Sequence, residues 1–270
     1  MSGKAVLATL KSGAPPAPLT FLGGRARALA QYLALPAAGL AIWQTASTLG
    51  YIAPYALPSP WLILRTGVES VADFSLPRDI LVSVGRVVGG FILAALTALA
   101  LGIVTALSTR FETYTRCLFQ VLKPIPPIAW IPIAILWLGI GESSKLFIIF
   151  IGAFFPVFIN TVSGIRHIDP RYVEVARVLE IPYGKFVKTV VLPGALPVIL
   201  SGLRIGLNNA WICVVAAEMI AATSGIGYLL MDGRQLAQPD KVILAMLVVG
   251  VIGKITDDLV ARLETGLVRW

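Results

Sequence analysis

Along this chain, long apolar runs alternate with short stretches of charge and proline. The runs cover about residues 29–49, 80–107, 117–138, 146–164, 196–222 and 242–259. The hydrocarbon core of a bilayer is about 30 Å thick and a helix rises about 1.5 Å per residue, so roughly 17–25 apolar residues cross it. Each run is of that order. The pattern predicts an all-α polytopic membrane protein with about six transmembrane helices. Residues 1–28 form a basic tail and residues 29–270 a single transmembrane domain.

One stretch breaks the alternation and organises the rest. Residues 166–204 are charged and marked by proline. Within them, residues 170–191 predict an amphipathic helix or helix pair, with Val173, Ala176, Val178, Ile181, Phe186 and Val190 as its apolar side. Two readings stand for a charged helix between spans: a solvated connection, or a docking element that another protein grips.

Composition agrees with a membrane class. The hydrophobic fraction is 57%, charged residues are 13% and mean hydropathy is +0.85; soluble domains carry about 25% charge. The net charge of +8 comes from basic residues scattered singly between apolar runs, which fits membrane topology better than nucleic-acid binding. With six spans both tails lie on one side, and the Lys and Arg count decides which. The tail side with the 166–204 segment holds sixteen, the opposite loops five. The positive-inside rule makes the tails and that segment cytoplasmic. Residues 1–28 read as a retained tail, because Ala26 to Ala28 precede the apolar run where a signal-peptide cleavage site would follow it.

Within the spans, Gly85, Gly89, Gly90 and Gly102 allow close helix approach. The proline-rich stretch of residues 51–79 reads as either a short interfacial helix or a structured loop. The third run carries Pro124, Pro126, Pro127 and Pro132, each removing a backbone donor, which favours a kinked helix at a subunit contact or pore over a plain anchor.

Catalytic chemistry is sparse. The phosphate-cradling pattern G-x-x-x-x-G-K-[ST] is missing, and Gly141 to Lys145 resemble it only in part. His167 is the one histidine and reads as a surface residue. Cys117 and Cys213 have no metal spacing and receive no disulfide or ligand role. Glu218 lies inside the fifth run, on one helical face with Asn208, Trp211 and Val215. That face would line a translocation path, or would join helices by interhelical hydrogen bonds. Arg86 either snorkels or pairs within the bundle, and Lys254, Asp257 and Asp258 form a charge cluster near the last run's end.

From about residue 80 onward the chain resembles the permease subunits of the nitrate/sulfonate/taurine/bicarbonate group of ABC importers. The matching stretches are Arg86-Val-Val-Gly-Gly-Phe91, Pro124-Ile-Pro-Pro-Ile-Ala-Trp130-Ile-Pro132, Trp137-Leu-Gly-Ile-Gly-Glu142-Ser-Ser-Lys145 and Phe154-Phe-Pro-Val-Phe-Ile-Asn160-Thr. They continue through Gly202-Leu-Arg204-Ile-Gly206, Ala217-Glu218-Met-Ile and Gly225-Ile-Gly-Tyr-Leu. Glu174-Val-Ala176, followed by Leu192-Pro193, resembles that family's "EAA" loop.

The resemblance implies a type I importer fold, with a coupling loop at about residues 165–195, in a bacterial cytoplasmic (inner) membrane protein. It implies two permease copies, two cytoplasmic ATPase subunits and an extracytoplasmic solute-binding protein. ATP and Mg would be held by the ATPase, with no cofactor and no catalysis in this chain. ATPase coupling falls to Glu174, Ala176, Gly184, Leu192 and Pro193. The family's loop has Gly six residues after its Glu, where this chain has Glu180, and Gly184 is expected to take over the turn. The 137–145 and 204–226 stretches look like taurine and aliphatic-sulfonate permeases, so a small sulfonate is the favoured solute, with nitrate or bicarbonate as the alternative. A self-sufficient secondary transporter would need more intramembrane carboxylates and histidines, and a membrane enzyme would need a nucleophile, base or metal set.

Overall fold

A computed structural model describes residues 20–267. They divide into two compact units, the first ending at Trp61 and the second starting at Leu62. In the first unit, α1 (Thr20–Thr48) is a 29-residue helix with Pro36 inside it. The Gln44 side chain accepts from the Trp61 amide at 3.1 Å, which folds the following loop back on the helix end.

The division falls within α2 (Pro60–Ala72), the short helix that was one of two readings for residues 51–79. From Leu62 on, α2 packs against the start of the last helix, where the Thr66 hydroxyl donates to Asp240 at 2.7 Å. A tight turn leads into α3 (Ser75–Leu107), with Phe74 in the left-handed region at φ 61. Asp73 stabilises that turn by accepting from the Ser75 hydroxyl and amide, at 2.7 and 2.9 Å. Those bonds, the hydroxyl's first, hold the Asp73 carboxyl below its ordinary range.

The third expected span is broken. α4 (Thr109–Leu122) starts at a Ser108 cap and is amphipathic, then the chain bends by 90° before a 3-10 turn (Pro127–Trp130) and α5 (Ile131–Leu138). Pro124, Pro126 and Pro127 explain the break. Each lacks an N–H, and Pro126, ahead of Pro127, sits at ψ 136 outside helical geometry, while Lys123 ahead of Pro124 still ends α4 as a helical residue.

α6 (Glu142–Arg166) is the central helix, flanked by α3 on one side and α9 (Leu192–Ala221) on the other. Glycine sets the spacing. A Cβ at Gly90 or Gly102 would lie 2.6 Å from Ile149 or 2.8 Å from Thr161, and at Gly206 it would meet Val157 at 2.8 Å. Of the four glycines expected to admit neighbours, Gly85 has nothing near it. Ile148, Ile149, Val157 and Val214 fill this core.

Between α6 and α9 run α7 (Pro170–Val178), α8 (Tyr183–Phe186) and a π-helical turn (Val187–Val191). In that turn the Leu192 amide donates to Val187 O, five residues back. The widened turn leads directly into Pro193, which has no amide to give and whose ring would crowd an α-helical carbonyl. α10 (Ile226–Gln235) and α11 (Pro239–Leu267) complete the chain.

By length and composition, Ser75–Leu107, Glu142–Arg166 and the continuous Tyr183–Ala221 stretch suffice to cross a membrane, and the bent α4–α5 pair makes a fourth if taken as one span. α1 and α11, the first and sixth expected spans, have the length but lie outside that count. α11 carries Lys254, Asp257 and Asp258 in its second half, paired with Asp258, Arg204 and Lys254 respectively.

Candidate functional site

At the Glu142 end of the bundle, four charges from three helices meet. Arg86 of α3 is 6% exposed and Glu218 of α9 is fully buried. Arg86 Nη1 donates to Glu218 Oε1 at 2.7 Å, and its Nε and Nη2 fork onto the two oxygens of Glu142 at 2.7 and 2.6 Å. Lys145 Nζ, one turn into α6, donates to Glu142 at 2.9 Å. Two cations and two carboxylates balance, which is the condition under which ionised groups persist in an apolar interior.

The same groups hold the start of α10. The first amides of a helix have no partner within it. Here Ser83 Oγ accepts from the Ile226 amide at 2.9 Å, Glu218 from the Gly227 amide at 2.9 Å, and Asp79 from the Gly225 amide at 2.8 Å. Arg86 also donates to the Ser224 carbonyl at 2.7 Å. Gly225 has φ +117, and a Cβ there would lie 2.5 Å from the Glu218 carboxylate. No side chain fits at that position. The resulting clamp ties α3, α6, α9 and α10 together without a water-exposed member except Glu142.

The expected path residues Asn208, Trp211, Val215 and Glu218 separate along α9. Asn208 Nδ2 approaches Asp257 at 3.4 Å and Trp211 Nε1 donates to Thr256 at 3.0 Å, both on α11. Val215 packs against the core. Glu218 has its acceptors occupied by Ser83, Arg86 and Gly227. Three of the four are thus hydrogen-bonded to other elements, and Val215 packs into the core. Arg86 pairs within the bundle and does not snorkel.

At the opposite end, Arg166 forks onto Glu112 at 2.6 Å for both bonds and also donates to the Thr105 carbonyl at 3.0 Å, which fastens α6 to α3 and α4. Beyond it, Asp169 caps α7. The charged segment presents apolar side chains outward: Tyr172 is 59%, Val178 82% and Tyr183 66% exposed. Val178 therefore does not belong to the buried side, where it was expected; of that set Ala176 is buried and the others half-buried. Glu174 and Gly184 are exposed, and Leu192 packs against the cluster of Ile165, Val187, Val191, Ala195 and Ile199, with half-buried Pro193 beside it.

The turn after α7 corrects another expectation. Gly184 lies inside α8 with no left-handed backbone; Glu180 itself takes φ +49. The Ile181 amide donates to Ala176 O and the Glu180 amide to Arg177 O, at 3.0 and 3.1 Å. That pair of bonds is the Schellman helix ending, whose left-handed position favours glycine. Glu180 adopts the left-handed backbone that glycine favours at such a helix ending.

A third feature lies along the middle of α6. A groove of about 340 Å³ runs between the α4–α5 break, α6 and α9, with Lys123, Asn160 and Asn209 as its polar lining. Sequence reading placed Lys123 in the proline-marked third run and Asn209 in the fifth, and gave neither a role. The proline cluster beside Lys123 was the available signal. His167 is exposed, as its loop position implied, and among the described residues no group of His, Cys, Asp and Glu is placed to hold a metal.

The pattern of the family described as binding-protein-dependent transport system inner membrane component matches residues 90–269. Among curated proteins, the chain is 42% identical to an aliphatic sulfonates transport permease protein of Bacillus subtilis (strain 168), covering 88% of this chain and 86% of that one. It is 38% identical to a nitrate import permease protein of Synechocystis, over 77% of this chain and 79% of that one. A solved inward-facing methionine ABC transporter (MetNI) chain shares the fold with a TM-score of 0.57 at 17% identity, covering 79% of this chain and 99% of that one.

Proposed function

Because the chain belongs to the inner membrane components of binding-protein-dependent transport systems, we propose that it is the permease of an ATP-driven importer for a small sulfonate, taurine or an aliphatic sulfonate. What carries the solute class is the 42% identity to the sulfonate permease across nearly the whole of both chains. A second reading, nitrate import, is favoured by the nitrate relative at 38%.

Two copies of the permease would work with two ATPase subunits, which hold ATP and Mg, and with an extracytoplasmic binding protein that delivers the solute. The charge bias supports a cytoplasmic position for both tails, the Arg166 end and the 166–204 segment. The exposed Tyr172, Val178 and Tyr183 on an otherwise charged surface support docking of the ATPase there, since apolar groups on a polar rim mark protein contacts. Glu174 and Gly184 would touch the ATPase, while Ala176, Leu192 and Pro193 pass its movement through the Ile165–Val191 cluster into α6 and α9. Nucleotide supplies the energy difference between inward- and outward-open states. On this reading Asn208, Trp211, Val215 and Glu218 act on transport by holding α9 against its neighbours.

The test is co-purification followed by an ATPase assay in liposomes. A tagged chain should retain an ATPase whose turnover rises with sulfonate-loaded binding protein. Stimulation by nitrate-loaded binding protein alone would select the second reading, and a chain that purifies without an ATPase would refute the importer. Glu174→Lys should leave the permease in the membrane but separate ATP hydrolysis from uptake; normal uptake by that variant would remove Glu174 from the coupling set.

A further inference from the structure

Lys123 is an exposed lysine at the α4–α5 break that lines a groove. Among the described residues, Arg86, Lys145 and Arg204 each face a carboxylate, whereas Lys123 has no acidic partner. Yet it stands beside Phe155 and Ile159 of α6, roughly 10–16 Å along that helix from its Arg166 end at about 1.5 Å per residue. A lysine that far along a helix of membrane-spanning length needs a water-filled cavity or a counter-charge, and the groove supplies the cavity.

The surroundings say what it would hold. The groove places Asn160 and Asn209 with Lys123. Asn160 donates one amide hydrogen to Pro156 O at 2.8 Å and keeps the other; Asn209 has no partner among the described residues. A charge and two carboxamide donors suit oxygens of an anion, and no carboxylate lines the groove to repel it. The remaining wall is apolar, with Ile151, Phe155 and Ile205, and accommodates a short carbon chain. Lys123, Phe155 and Ile159 also line a second hollow of about 170 Å³ that reaches Glu112 and Arg116 toward the Arg166 end. Lys123 thus lines both hollows.

We propose that Lys123, with Asn160 and Asn209, is an intramembrane contact site for the oxoanion head of the transported solute. The proposal rests on the importer reading above and deepens it. The α4–α5 break has a function in it: Lys123 ends α4 in helical geometry, and the chain turns away after it, which leaves the groove open beside the lysine. The apolar wall favours an organic sulfonate over nitrate or bicarbonate, which have no chain to lay against it.

The experiment uses native cells carrying chromosomal Lys123→Gln, Lys123→Arg or Asn209→Asp. Uptake of labelled taurine, ethanesulfonate, nitrate and bicarbonate is measured against the parent and a deletion strain, with the permease and its co-purified ATPase quantified. Lys123→Gln should lower uptake of the solute that the deletion strain fails to take up by about tenfold or more, with ATPase retention unchanged. Lys123→Arg should stay within about threefold of the parent. Asn209→Asp, similar in size but negative in the same groove, should also fall; it carries the test if Lys123→Gln does not accumulate. Parental uptake by Lys123→Gln or Asn209→Asp at equal permease level overturns the site. If the deletion strain takes up all four solutes like the parent, it is the importer reading that fails, and the site with it.

Discussion

Removing the Glu218 carboxylate tests the central clamp most directly. In Glu218→Ala, the Ser83 hydroxyl, the Gly227 amide and one Arg86 Nη1 hydrogen lose their acceptor. All lie where the parent residue is fully buried, so no water is at hand to replace it. Stranding a neutral donor costs about 1–3 kcal/mol, and removing one partner of a buried ion pair costs about 3–5 kcal/mol. Arg86 keeps Glu142 and the Ser224 carbonyl and so is not left unpaired, which brings the loss below the sum of those terms, to about 4 kcal/mol. At about 2–4 °C per kcal/mol for a chain of this size, Tm should fall by roughly 8–16 °C. Glu218→Gln should also destabilise, because its single amide oxygen cannot serve both oxygens' donors and its NH2 turns one donor toward another. Thermal unfolding of the detergent-purified permease, followed by the fraction eluting as a single species after heating, reads the effect. A variant with parental Tm that has nonetheless lost uptake would refute the clamp and make Glu218 a solute contact.

Two more substitutions probe the backbone. Gly225→Ala forces a Cβ to within 2.5 Å of the Glu218 carboxylate at φ +117; overpacking together with left-handed strain should cost about 2–4 kcal/mol, seen as a Tm loss comparable to that of Glu218→Ala. Glu180→Gly should relieve the left-handed strain at φ +49, a net gain of about 0.5–1 kcal/mol after glycine's own entropy cost. Slower limited proteolysis of the 170–191 segment would bear this out, and faster cleavage would contradict it.

What the amino-acid order determined by itself was everything governed by local hydropathy and local charge. Apolar runs marked helices of membrane-crossing length, and the 166–204 segment stood out because it mixes nine charged residues with four prolines. Arg86 and Glu218 were conspicuous as charges within apolar runs. Helical periodicity assigned a face to Glu218 but could not say which neighbour covers that face, because a helix wheel has no partner in it. Tertiary structure decided that α3 brings Arg86 and Ser83 to Glu218 across 132 and 135 positions of chain, and that α10 starts there. It also decided that the proline cluster breaks the third span by 90° and leaves Lys123 facing a groove between α6 and α9. The physical reason is the same in each case. Burial, pairing and the cost of an unpaired charge are properties of what surrounds a residue, and those surroundings exist only once the helices have packed.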